Sequence, residues 1–104
     1  MVTHIVHFKL HDPSPEGIAV AAGILRSMAG RIPTLRALEV GLPEADDTRS
    51  YDIALVTRFD DWAGLAAYRS HPYHQDPVLK HMHEHAAAAT FVDYEGGAVD
   101  LSAT

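Results

Sequence analysis

The stretch "YDIALVTRF", residues 51–59, constrains the chain more than any other. It has the length and β-branched content of a strand, yet it is apolar on both faces: Ile53 and Leu55 on one, Ala54 and Val56 on the other. An antiparallel strand with one wet face alternates apolar and polar residues. A strand that is apolar on both sides has to be covered twice, and the fold depends on what supplies the two covers.

The segments around it set the order of elements. "VTHIVHFKL" alternates, with His4, Val6, Phe8 and Leu10 facing one way and Ile5, His7 and Lys9 the other, so it reads as a first strand. Ser14 is a good N-cap with Pro15 at the first helical position, and Ile18, Ala21, Ala22, Leu25 and Met28 recur at helical spacing. A first helix over about 15–29 follows, weakened by Gly17 and Gly23 at about 1 kcal/mol each relative to Ala. "GRIP" stops it, "LRALEVG" reads as a half-exposed second strand, and "LPEADDTRS" as a polar loop before the third strand. Asp60 or Asp61 caps a second helix carrying Trp62, Leu65, Ala66 and Tyr68, which ends at His71 because a residue before proline is pushed out of helical dihedrals. Asp76-Pro77 restarts the helix, with Val78, Leu79, Met82, Ala86 and Ala89 as its apolar stripe, and "TFVDYE" is a fourth strand.

The order β-α-β-β-α-β is the split pattern of a ferredoxin-like α+β fold. Two right-handed crossovers place both helices on one face of a four-stranded antiparallel sheet in the order 4-1-3-2. The helices suffice for one face only. The simplest cover for the other is a second copy, so the chain is expected to form a homodimer whose sheets pack into a barrel. The domain is expected to span 1–95, with 96–104 a tail or partner-contacting arm.

At 104 residues the chain is one domain, long enough to bury a core without staples. It has no cysteine, which excludes disulfides and thiolate chemistry. The formal charge is −6 and the eight Lys and Arg are scattered, which argues against nucleic acid or an anionic membrane as partner. No charged-then-apolar leader opens the sequence, and no apolar run approaches the ~20 residues of a membrane span, so a soluble, cytoplasmic protein is expected.

Five segments together carry a family resemblance: the opening "HIVHFKL", then "IPTLRALEVG", "SYDIALVTRF", "AAYRSHPYH" and the closing "FVDYE", in that order across residues 3–95. In these the chain resembles the stress-responsive A/B barrel (Dabb) domains, which are dimeric α+β barrels. The resemblance implies a dimeric barrel in a family where some members are cofactor-free polyketide cyclases and many have no established activity. In the cyclase branch a pocket lies between sheet and helices. The matching positions here are His4 in the first strand, Tyr68 near the end of the second helix and His74 in "HPYH". That branch also places a histidine in its third strand, where this chain has Asp52 or Ile53 instead.

The three residues form a coherent chemical set. An intramolecular aldol condensation of a poly-β-ketone needs a base for the proton between two carbonyls and donors that polarise the carbonyl under attack. A neutral imidazole suits the base at neutral pH, and a phenol can donate without losing its proton. His74 is therefore expected as the base, Tyr68 as an orienting donor and His4 as a second donor, with no cofactor and no metal. Structural readings stand beside these: His4 as a core histidine bonded to backbone, Tyr68 as a packed helix-end aromatic, and His71 as a cap for helix carbonyls.

"KHMHEHA" places His81 and His85 four residues apart on one helix face, a spacing that chelates zinc or nickel if a third ligand joins, and Glu84 points elsewhere. The expectation is no physiological metal site. Two rival functions remain open. Related barrels include cofactor-independent monooxygenases; the haem-degrading branch relies on an asparagine, and this chain contains none. The other rival is a non-catalytic dimer, in which side chains of the first helix would fill the pocket, although Ala19, Ala21, Ala22 and Gly23 are small. The ligand expected is small and hydrophobic or polyketide-like.

Overall fold

A computed structural model describes residues 1–44 and 49–97. Its elements are β1 (Val2–Leu10), α1 (Pro15–Arg26), β2 (Ala37–Gly41), β3 (Ile53–Phe59), α2 (Trp62–Ser70), a wide helical segment His74–Leu79 that runs into α3 (Lys80–His85), and β4 (Ala86–Glu95). The four strands form one antiparallel sheet in the order β2-β3-β1-β4, the expected order read from its other edge. Parts of the expected loop and tail, 45–48 and 98–104, lie outside the described residues.

Local chemistry explains where the helices begin and end. The Ser14 hydroxyl accepts from the Gly17 N–H at 3.1 Å, and the Asp61 carboxylate accepts from the Gly64 N–H at 2.8 Å, so each helix has one otherwise orphaned donor satisfied. Gly17 is more than a weak helix former: a Cβ there would sit 2.3 Å from the Asp12 carbonyl oxygen, so only glycine lets the chain pass. His71 is extended (φ −62°, ψ 135°) ahead of Pro72 and ends α2 as expected. Asp76 is also extended (φ −151°, ψ 120°), so the helical path breaks at Asp76-Pro77 and resumes beyond it.

Two expectations are corrected. α1 stops at Arg26, with turns rather than helix through Gly30. The helix after Pro77 ends at His85, and Ala86–Ala89 belong to β4. Four alanines favour a helix locally, but β1 offers a full ladder of partners, pairing Phe8 with Ala89, Lys9 with Ala88 and Leu10 with Ala86. Backbone pairing along the sheet edge outweighs a propensity of a few tenths of a kcal/mol per residue.

The helices cover the sheet face formed by Val6, Leu10, Ile53, Leu55 and Phe59, all buried against Leu25, Met28, Leu65, Tyr68, Val78 and Met82. Each such large side chain contributes roughly 1.5–3 kcal/mol by leaving water. The opposite face carries Ile5, Ala54 and Val56, half-buried, and Val92 and Tyr94, exposed by 52% and 42%. No helix among the described residues covers it, as the doubly apolar β3 anticipates. No helix among them is long and apolar enough to cross a membrane.

Candidate functional site

β1 and β4 lie side by side, and their register decides what meets over the helix-covered face. His4 pairs with Asp93, Val6 with Phe91 and Phe8 with Ala89. Because alternate residues share a face, His4, Val6 and Phe8 line up with Asp93, Phe91 and Ala89 beneath the helices. Alanines at 86, 88 and 89 leave space that larger residues would fill. The result is a cavity of about 530 Å³, within the range of small-molecule pockets, walled by Val6, Phe8, Leu55, Val78, Met82 and Phe91. α1 contributes only Leu25 to the lining, since Ala21 and Ala22 are spent on close packing.

One end of this cavity is polar. His4, Tyr68 and His74 all line it, joined by Arg69 and Gln75, and His83 of α3 also borders the cavity. The Tyr68 ring neighbours both imidazoles, with centroids 4.4 Å from His74 and 6.0 Å from His4. The three residues that the sequence nominates therefore converge on one space. Phe59 backs the phenol at 5.0 Å. The Tyr68 side chain is buried, yet its hydroxyl has no hydrogen-bond partner among the described residues. No side-chain polar atom among them is both sealed and unpaired, so the hydroxyl opens on the cavity and is available to a ligand.

The hydrogen bonds assign the protons on both imidazoles. The His74 Nδ1 lies 3.1 Å from the Arg69 carbonyl oxygen, which can only accept, so Nδ1 carries the hydrogen and Nε2 of the neutral ring is bare. The His4 Nδ1 donates to the Asp93 carboxylate, whose other oxygen accepts from the Arg69 guanidinium. This is not the backbone-bonded core histidine of the structural reading. Burial alone would raise the Asp93 carboxyl, but the bonds and charges of His4 and Arg69 outweigh it and hold the group below the usual carboxylate range. Asp93 is therefore ionised at neutral pH.

Burial pushes the Tyr68 phenol well above its ordinary range, against the opposing charge of Arg69, so it stays protonated and can donate. Burial also lowers the His74 imidazole below its ordinary value. The bond to the Arg69 carbonyl opposes that shift, and the charges of His4, Arg69 and His71 reinforce it. A neutral His74 with a bare Nε2 is the form that takes a proton.

The remaining histidines are placed differently. His71 Nδ1 accepts from the Tyr73 N–H at 3.1 Å, and the Tyr73 hydroxyl donates to the Ser27 hydroxyl at 2.7 Å, which ties this turn to α1. His81 and His85 stack with centroids 4.2 Å apart, and among the described residues no three His, Asp or Glu side chains are grouped to hold a metal ion. Sequence reasoning missed Asp93, Arg69 and His83. Asp93 left a signal, an acidic residue alternating in register with Phe91 in a strand next to β1; the other two left none.

The profile of the stress responsive A/B barrel domain (Dabb) matches residues 2–96. The chain belongs to the Dabb family. An uncharacterized protein of Streptomyces coelicolor is 34% identical over 98 residues, covering 91% of this chain and 99% of that one. Among solved structures, a dimeric protein of unknown function with a ferredoxin-like fold from Bacteroides fragilis is 32% identical with a TM-score of 0.75, covering 91% and 95% of the two chains. A dimeric ferredoxin-like protein of unknown function from Thermobifida fusca is 26% identical with a TM-score of 0.77, covering 89% and 88%. This Dabb chain thus shares its fold with relatives whose own activities are unassigned, and its chemistry has to be argued from the cavity.

Proposed function

We propose that this protein binds a small, largely apolar carbonyl compound in the cavity and acts on it as a cofactor-free cyclase, with His74 as general base. The convergence of His4, Tyr68 and His74 at the polar end of one otherwise apolar cavity carries this reading. In the proposed step the His74 Nε2 takes the proton from a carbon flanked by two carbonyls. The Tyr68 hydroxyl donates to the oxygen on which negative charge collects. The carbanion adds to a third carbonyl farther along the same molecule: a carbon–carbon bond forms, the π bond opens to an alkoxide, and the proton returns from the imidazolium to that oxygen. Nothing is oxidised or reduced. His4, with Nδ1 bound to Asp93, offers Nε2 as an acceptor, or as a donor once protonated.

The first half of that step is measurable without the native substrate. In deuterium oxide the protein is expected to accelerate exchange at C3 of nonane-2,4-dione above the buffer rate, saturably, as followed by proton NMR. Exchange at the buffer rate with saturating dione would refute His74 as a base toward this class of compound.

The working form in this reading is a cytoplasmic homodimer. The uncovered face, with Ile5, Val56, Val92 and Tyr94, is a continuous apolar surface of the kind a second copy buries. The Bacteroides fragilis and Thermobifida fusca neighbours are described as dimeric, which supports it. Light scattering at micromolar concentration is expected to give twice the mass of the 11.3 kDa chain, and a monomer mass there contradicts the dimer.

A further inference from the structure

Arg69 touches both halves of the polar end, by two different groups. Its guanidinium donates to Asp93 Oδ2, while Asp93 Oδ1 accepts from the His4 Nδ1. Its backbone carbonyl accepts from the His74 Nδ1 at 3.1 Å and from the Gln75 side-chain amide at 2.6 Å. The residue sits at the end of α2 directly after Tyr68, so one turn of helix carries the phenol and the anchor for each imidazole beside it. The guanidinium is exposed, whereas the Asp93 side chain is only 14% accessible. A half-exposed arginine paired with a carboxylate contributes little to stability in general. What this pair does control is which oxygen faces which donor.

We propose that Asp93 and Arg69 are the positioning residues of the site, holding both His4 and His74 as Nδ1–H tautomers so that each presents a bare Nε2 to the ligand. The proposal rests on the acid–base reading above and extends it: the site has two proton acceptors flanking one phenol, not a single base. One imidazole can remove a proton and the other can receive or return one, which a cyclisation followed by loss of water requires.

The chemistry of asparagine makes the assignment testable. A carboxylate offers an acceptor oxygen to each of its two donors, whereas an amide has one oxygen and one NH₂. In Asp93→Asn the arginine, which has no acceptor and cannot lose its proton, claims the oxygen. The NH₂ then faces the His4 Nδ1, which has to give up its hydrogen, and the tautomer flips to Nε2–H. Removing the guanidinium as well frees the amide to turn its oxygen back to His4. The double variant Arg69→Met, Asp93→Asn therefore restores the Nδ1–H form that the single Asp93→Asn loses. A purely structural ion pair predicts no such reversal.

The experiment is long-range nitrogen–proton correlation NMR of the ¹⁵N-histidine-labelled protein without ligand, at a pH where the rings are neutral. The expected result in the unsubstituted protein is Nδ1–H for both His4 and His74. Asp93→Asn is expected to convert His4 to Nε2–H and leave His74 unchanged, and the double variant to return His4 to Nδ1–H. An Nε2–H ring at His4 or His74 in the unsubstituted protein overturns the proposal even if no variant folds. A folded Asp93→Asn protein whose His4 keeps its tautomer overturns it too, as does a double variant whose His4 stays flipped. Because no ligand is present, these outcomes are independent of whether the protein exchanges the dione.

Discussion

Two groups of ring residues in this protein look alike in sequence and differ in what they can do. His81 and His85 lie four residues apart on α3 and stack on each other, their centroids 4.2 Å apart. His4 and His74 are seventy residues apart in the chain, yet the fold brings both against the Tyr68 ring. In the second group each Nδ1 is taken by an acceptor of the chain itself, Asp93 or the Arg69 carbonyl, and both residues line a largely apolar cavity. An imidazole becomes useful for proton transfer when one nitrogen is committed and the other faces a space that holds a substrate. Clustering alone supplies neither condition.

The largest expected consequence of that contrast is in exchange chemistry. His74→Gln is expected to lower deuterium exchange of nonane-2,4-dione about 100-fold, in the range that a positioned base supplies, while His85→Gln leaves it unchanged. Equal losses in the two variants would erase the distinction between the groups. The glutamine amide can keep the bond to the Arg69 carbonyl, so the comparison removes the base with little change in packing.

A smaller effect is expected in the pH dependence of stability. The His74 value is lowered in the folded protein, mainly by burial, so below the ordinary histidine range the unfolded chain binds the proton that the folded one refuses. The contribution is fully present above roughly pH 6.5 and is lost as the pH falls from there toward the folded value. His81, also lowered by burial and by the His85 charge, acts with the same sign from a more exposed position. Asp93, held low once its bonds outweigh burial, contributes stability that disappears only below the carboxylate range. Urea unfolding of the parent and of His74→Gln between about pH 7 and 5 checks this: the parent is expected to lose stability more steeply, and parallel curves would contradict the direction assigned to His74.

Much of the fold was legible because it rests on signals that local chemistry writes into the chain. Ser14 with Pro15, Asp61, and His71 before Pro72 mark helix ends through capping and sterics. The alternation of β1 and the doubly apolar β3 mark the two central strands. Ala86–Ala89 defeated the same reasoning, because an alanine run reads as helix until the open edge of β1 is taken into account. The site was half legible. His4, Tyr68 and His74 were nominated by resemblance and by the chemistry of imidazole and phenol, and the cavity joins them. Their supports were harder to see. Asp93 becomes visible only when the register between β1 and β4 sets it opposite His4, and Arg69 acts partly through a backbone carbonyl, which no side-chain pattern records.

The account stands on the cavity between sheet and helices being where a ligand's carbonyl meets Tyr68 and His74. A crystal structure of the protein soaked with nonane-2,4-dione tests it most directly. The predicted result is one carbonyl oxygen within hydrogen-bond reach of the Tyr68 hydroxyl, C3 facing the His74 Nε2, and the alkyl tail along Val6, Phe8 and Met82. A dione bound elsewhere with this cavity empty, or one lying in it with its carbonyls turned away from both residues, would contradict it.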